Sequence, residues 1–208
     1  MVISVCSLKG GVGKTTSAML LAMCAAEEDE AAVTLIDGDP EFNAVIWANS
    51  ARKAGRSLPF DVVRGEAEGL ARQARALASE GRVVVVDTPP NSKDVMMAAA
   101  LAADVAVVPV SPSTIDLSRL SKTLAVLLDV QSARSGLGIT VLITRYSRGT
   151  VLAKVSADVL REHPVLPKAI RDLERYKSLY GTVPTYLSEY RENWLALVAL
   201  LQDDAAAA

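Results

Sequence analysis

Lys9-Gly10-Gly11-Val12-Gly13-Lys14-Thr15-Thr16 stands between an apolar run, Val2-Ile3-Ser4-Val5-Cys6, and a stretch rich in Ala, Leu and Met over 15–26. Strand, glycine-rich turn and helix in that order make a phosphate cradle. Residues without a Cβ take positive φ and turn successive N–H groups inward, and the helix N-terminus adds its partial positive charge. A turn that merely joins strand to helix is the competing reading, and the flanking elements argue against it. The common pattern G-x-x-x-x-G-K-[ST] would need Gly at position 8, where Leu8 stands, so the match is to a deviant form with an additional lysine, Lys9. Lys14 sits where a loop lysine reaches the β- and γ-phosphates, Thr15 where a hydroxyl ligates Mg²⁺, and Thr16 within reach of the α-phosphate.

Two acidic strand ends follow. Val33-Thr34-Leu35-Ile36 runs into Asp37-Gly38-Asp39-Pro40-Glu41, and Val83-Val84-Val85-Val86 runs into Asp87-Thr88-Pro89-Pro90. Continuous β-branched runs are the signature of buried parallel strands, whose carboxyl ends carry ligand groups in α/β sheets. Asp87 is thereby placed to hold Mg²⁺, directly or through water. Carboxylates at strand ends also serve as helix caps, which is the alternative for either motif taken alone.

The octet from Lys9 to Thr16 resembles the deviant Walker A box of the ParA/MinD family of dimeric ATPases, and Asp37-Gly38-Asp39-Pro40 resembles that family's Asp-x-Asp-Pro-Gln motif, with Glu41 in place of Gln. The resemblance implies ATP and Mg²⁺ as cofactors and Mg²⁺-dependent ATP hydrolysis. It implies that Lys9 crosses a dimer interface to the other subunit's ATP, that Asp39 positions the attacking water, and that Asp37 lies in the Mg²⁺ neighbourhood. Asn43, Trp47 and the chain length point to the short ParF-like partition proteins within the family. A homodimer formed on ATP binding, non-specific DNA, and a centromere-binding partner of the ParB or ParG kind are the partners this implies. Arg145 falls where the family presents a polar side chain to adenine, and the stretch Pro109–Thr114 where ParF-like relatives place a proline-rich self-association segment.

The remaining pattern alternates strands (60–64, 104–110, 139–144, 166–170) with helices (42–56, 66–80, 94–102, 116–133, 151–161, 174–180, 187–202), each closed by Pro, Ser or Gly punctuation. That alternation predicts an α/β fold, a single-domain P-loop NTPase over 1–202 with a mostly parallel sheet flanked by helices on both faces, and a frayed tail over 203–208. With 208 residues and 50% apolar content the chain can bury one full core. The first strand begins at residue 2, so neither a signal peptide nor an N-terminal operator-binding extension is expected, and Cys6 and Cys24 read as reduced, buried thiols of a cytoplasmic, nucleoid-associated protein.

Charge is unevenly spread. Residues 1–118 carry a net −5, residues 119–191 a net +6, and residues 192–208 a net −3. Arg171, Arg175 and Lys177, with Arg145, Arg148, Lys154, Arg161 and Lys168, are candidates for a stripe facing DNA phosphates, against the alternative of scattered, solvated helix charges. The last helix ends in two aspartates and four alanines, which anionic lipid would repel, so it is expected to pack on the sheet and not to meet a membrane. Three function classes compete. A ParA-type segregation ATPase stands first, with a MinD-like or orphan ParA-like positioner of another cargo beside it. An iron–sulfur carrier would need cysteines after Asp87, and neither Cys6 nor Cys24 serves. A small-molecule ATP-dependent ligase would not need Lys9.

Overall fold

The computed structural model describes residues 1–28, 31–147 and 164–207. Strands β1 (Val2–Val5), β2 (Val33–Asp37), β3 (Asp61–Arg64), β4 (Val83–Asp87), β5 (Val105–Val110) and β6 (Gly138–Ile143) form one parallel sheet in the order β3-β2-β4-β1-β5-β6. The helices are α1 (Lys14–Glu28), α2 (Asn43–Lys53), α3 (Leu70–Ser79), α4 (Lys93–Ala102), α5 (Thr114–Ala133), α6 (Glu174–Lys177) and α7 (Ser188–Ala207). Every residue of β1, β2, β4 and β5 is buried, as both-face coverage of a parallel sheet requires.

Side chains alternate across each strand, which sorts the core into two layers. Val5, Leu35 and Val85 pack with α1, α2 and α7 through Met19, Trp47 and Trp194. Val2, Ile36, Val84 and Val86 pack on the other side with α3, α4 and α5 through Leu70, Met96 and Leu127. Helix α1 is buried continuously from Ser17 to Ala25, pressed between the sheet and α7, which explains why its sequence shows no polar face. From β1 the chain crosses to β2 on one side of the sheet, and from β4 to β5 on the other. The direction of winding reverses between β1 and β4, and the crevice outside their carboxyl ends is where such folds bind ligands.

Most expected elements are present within a few residues of their expected bounds, with differences that have local causes. The strand expected over 166–170 is replaced by single bridges, Val141 with Val165 and Tyr146 with Arg171. Pro164 and Pro167 offer no N–H, so the edge beside β6 is held only by bonds such as Leu166 N–H to the Val141 carbonyl (2.9 Å) and Ile170 N–H to that of Ile143 (2.8 Å). The helix expected over 66–80 starts only at Leu70, after Gly65 and Gly69, and that expected over 174–180 is the short α6. Residues 203–207, expected as a frayed tail, continue α7. The helix expected over 151–161, with Arg148, Lys154 and Arg161, lies outside the described residues.

Candidate functional site

The sheet register brings the two acidic motifs together. Asp37 on β2 pairs with Asp87 on β4, and Val5 on β1 pairs with Asp87 from the other side. By the alternation of side chains, both carboxylates lie on the face covered by α1, whose N-terminus is the end of the phosphate loop. Gly11 and Gly13 hold φ of 76° and 89°, the left-handed turn that only glycine takes without strain. Gly38 is needed for a different reason: its N–H donates to the Asp87 carbonyl at 2.9 Å, and a Cβ there would meet that oxygen at 3.0 Å.

The loop is clamped at both flanks. Leu8, standing where the common motif has Gly, donates its N–H to Thr123 Oγ1 at 3.2 Å and packs on the α5 side of the core. Thr144 Oγ1 donates to the Val12 carbonyl at 2.9 Å, and Lys14 Nζ donates to the Lys9 carbonyl at 2.9 Å, closing the loop on itself. Burial lowers the Lys14 ammonium below its ordinary pKa, opposed by the carboxylates of Asp87 and Asp39. No acidic residue occupies the first turn of α1 to neutralise its positive end.

Asp87 is fully buried, and neither carboxylate oxygen has a hydrogen-bond partner among the described residues. Burial pushes its carboxyl up to about 7, with the Thr15 hydroxyl and the Lys14 ammonium pulling down and Asp37 pushing up. An orphaned carboxylate beside a threonine at a helix N-terminus is the donor set a hard cation takes up. Among the described residues no three His, Cys, Asp or Glu side chains form a metal cluster, so a cation held here would complete its shell with phosphate oxygens and water.

Asp37, expected in the metal neighbourhood, stands beside Asp87 in the register and also holds the start of α2. Its Oδ2 accepts the N–H groups of Ala44 (2.9 Å) and Val45 (3.0 Å) at the start of α2, and its Oδ1 accepts that of Asp39 (3.2 Å). This is the helix-capping alternative, built across a loop. Asp39 is buried, and its Oδ1 accepts the Glu41 N–H at 2.9 Å, which fixes the carboxylate at the mouth of the crevice. Glu41 is exposed and holds the Asn43 amide at 3.1 Å, so its charge faces solvent.

Beside the loop lies a cavity of about 320 Å³, bounded by Val12, Gly13 and Thr16 on one side and by Arg145, Arg171 and Tyr176 on the other. Arg145 therefore lines the cavity beside the loop, in the left-handed region at φ 52°. Trp47, Tyr180 and Tyr190 complete the wall. Sequence reasoning missed this aromatic wall, because the three rings come from α2, a turn and α7; Trp47 was visible only as a feature shared with relatives. Of the DNA candidates, Arg171 and Lys177 line this cavity, Arg171 paired with Glu189 and Lys177 with Asp172 at 3.3 Å, while Arg175 lies outside it with its guanidinium over the Tyr186 ring. Cys6 and Cys24 are buried free thiols, pushed by burial up to about 11 and about 12.

The family described as CobQ/CobB/MinD/ParA nucleotide binding domain matches residues 3–182. The chain belongs to it. The MinD/ParA-type domain is 36% identical over 168 residues to the maintenance of carboxysome distribution protein A of Gloeobacter kilaueensis, covering 79% of this chain and 72% of that one. It is 30% identical to the chromosome-partitioning ATPase Soj of Thermus thermophilus over 210 residues, 81% and 82% of the two chains. Its fold is similar to that of cobyrinic acid a,c-diamide synthase from Mycobacterium smegmatis, solved with an ATP analogue and magnesium, at a TM-score of 0.72 and 22% identity over 95% of this chain and 93% of that one. Among the described residues no helix is long and apolar enough to cross a membrane.

Proposed function

We propose that this domain is a ParA-type ATPase that binds ATP with Mg²⁺, pairs with a second copy when ATP is bound, and binds DNA without sequence preference. The observation that carries the reading is Asp87, buried and unpartnered opposite Thr15 and Lys14. Mg²⁺, when bound, neutralises charge on the β- and γ-phosphates. Thr15 and Asp87 hold it, Lys14 leaves the Lys9 carbonyl for the phosphates, and the N–H groups of Gly10 to Gly13 wrap them. Asp39 orients the water, the main contribution a protein can make when bond breaking is largely dissociative. Lys9 reaches the partner copy's phosphates, and Arg145 contacts the base. Arg171, Arg175 and Lys177 sit on the basic segment that meets DNA, which places the protein on the nucleoid of the cytoplasm. A partner that binds the segregated DNA stimulates hydrolysis and releases the dimer.

Similarity to a carboxysome-distribution protein supports a second reading in which the cargo is another cellular body and the ATPase cycle is the same. A small-molecule ligase, favoured by the likeness to the diamide synthase, leaves Lys9 without a role.

The test uses two lysines. Lys14→Ala abolishes ATP binding, whereas Lys9→Ala binds ATP and stays monomeric, as read by calorimetry and light scattering. Normal ATP-dependent dimerisation of Lys9→Ala removes the cross-subunit role, and ATP binding by Lys14→Ala at wild-type affinity removes the site.

A further inference from the structure

A second cavity, of about 550 Å³, lies between the loop after α2 and the segment that runs from α6 toward α7. Arg56 and Arg175 line it together with the hydroxyl-bearing Thr185 and Tyr186, and no carboxylate is among its lining residues. We propose that this hollow is a phosphate-binding site distinct from the P-loop, in which Arg56 and Arg175 grip one phosphate group. The phosphate comes from a nucleic-acid backbone or from a free polyphosphate, and the chemistry of capture is the same.

The support built beneath Arg175 carries the inference. Its guanidinium carbon lies 4.2 Å over the Tyr186 ring, which orients the plane and leaves its edge for a ligand. Tyr186 is itself held, its hydroxyl accepting Arg171 Nη2 at 2.8 Å. Arg171 Nε in turn donates to Glu189, a carboxylate 6% exposed that also accepts the Tyr176 hydroxyl. An exposed arginine backed by a stacked ring, a second arginine and a buried carboxylate is preorganised, as binding groups are and solvated charges are not. The segment that carries Arg175 and Tyr186 is anchored further along as well. Trp47 Nε1 donates to the Thr182 carbonyl at 2.6 Å, and the Thr182 hydroxyl donates to the Leu179 carbonyl at 2.7 Å, tying the turn to α2.

Ion pairing separates the two lining arginines from Arg171 and Lys177. Arg171 is paired with Glu189, and Lys177 with Asp172 and Glu174, whereas among the described residues no ion pair engages Arg56 or Arg175. Two guanidinium groups on one hollow without a counter-charge concentrate positive potential there. Tyr176 lines both this hollow and the cavity beside the loop, so the two sites share a wall.

The experiment keeps the P-loop filled with a non-hydrolysable ATP analogue and Mg²⁺ in the full chain and titrates random-sequence duplex and tripolyphosphate across a range of salt. Arg56→Ala and Arg175→Ala each lower the slope of log affinity against log salt by about 1, and the double variant also by about 1, because the same phosphate is lost. Tyr186→Leu, which keeps both arginines, weakens binding in the same direction by less. Loss of the duplex effect alone assigns the phosphate to a backbone, and loss for tripolyphosphate as well assigns it to either source. Variants that bind both probes as the wild type does overturn the site while leaving the DNA reading intact. Wild-type protein that binds neither probe overturns both.

Discussion

Asp87 and Glu189 are both buried carboxylates facing basic groups, and they behave in opposite ways. Asp87 has no hydrogen-bond partner among the described residues, and burial drives its carboxyl up to about 7. Burial also opposes ionisation of Glu189, yet hydrogen bonds from Tyr176 and Arg171 outweigh it and hold the carboxyl below its ordinary value. The low dielectric that makes an orphaned charge costly strengthens a satisfied one. A buried acid left unsatisfied is a place where something is to bind, while a satisfied one holds its neighbours in position.

Experiments can break or sharpen this contrast. The largest expected effect lies on the first side of it. Asp39→Ala removes the water-positioning group and slows single-turnover ATP hydrolysis by roughly 10²–10³-fold while ATP affinity stays, the size typical of losing one preorganised group. Unchanged single-turnover rates move the role to another residue, Asp37 being the nearest.

Next comes Asp87→Asn. A carboxyl raised in the folded state stabilises the fold below its unfolded value of 3.8 and loses that contribution as pH climbs to about 7. Without nucleotide or Mg²⁺, the Asn variant therefore melts above wild type at pH 8, by as much as ~4 kcal/mol in stability, and the gap closes toward pH 4. Its Mg²⁺-dependent nucleotide affinity falls at the same time. A variant that melts below wild type at pH 8 shows that Asp87 is satisfied within the fold.

Glu189→Gln has the opposite sign and a smaller size. A carboxyl lowered in the folded state contributes stability above its unfolded value of 4.5 and loses it as pH falls through the folded value. The Gln variant loses about 1.5–3 kcal/mol near pH 7, the range for hydrogen bonds to a charged group, and the deficit shrinks in acid. Thermal melts across pH read both carboxylates on one scale, and equal signs for the two would dissolve the contrast.

The two regions also differ in how far the chain announces them. The loop from Lys9 to Thr16 folds from consecutive residues, so its spacing displays its chemistry. Asp37 and Asp87 were legible as strand ends, since unbroken Val and Ile runs stop at each. That Asp37 caps α2 was not, because the choice depends on where the N–H groups of Ala44 and Val45 arrive after the Asp39–Phe42 turn. The strand expected over 166–170 failed because Pro164 and Pro167, on either side of Val165-Leu166, supply no ladder N–H. The basic segment was visible as a local excess of charge, but the pairing of Arg171 was hidden, since Glu189 lies on a different element, whereas Lys177 pairs with Asp172 and Glu174 close by in the chain.

What the sequence determined by itself is what short-range order can encode: a phosphate loop, two acidic strand ends, and an alternation of strands and helices that builds a covered parallel sheet. What only the tertiary structure decided depends on groups far apart in the chain. Strand register sets Asp37 opposite Asp87, and burial leaves one of them without a partner while the other caps a helix. The docking of α7 on α1 brings Tyr190 to Ser17 at 3.0 Å, and the same docking carries Glu189 to Arg171, so that one arginine supports while Arg175 is presented outward. Proximity, desolvation and the presence of a partner are properties of the assembled interior, and no spacing along the chain can state them.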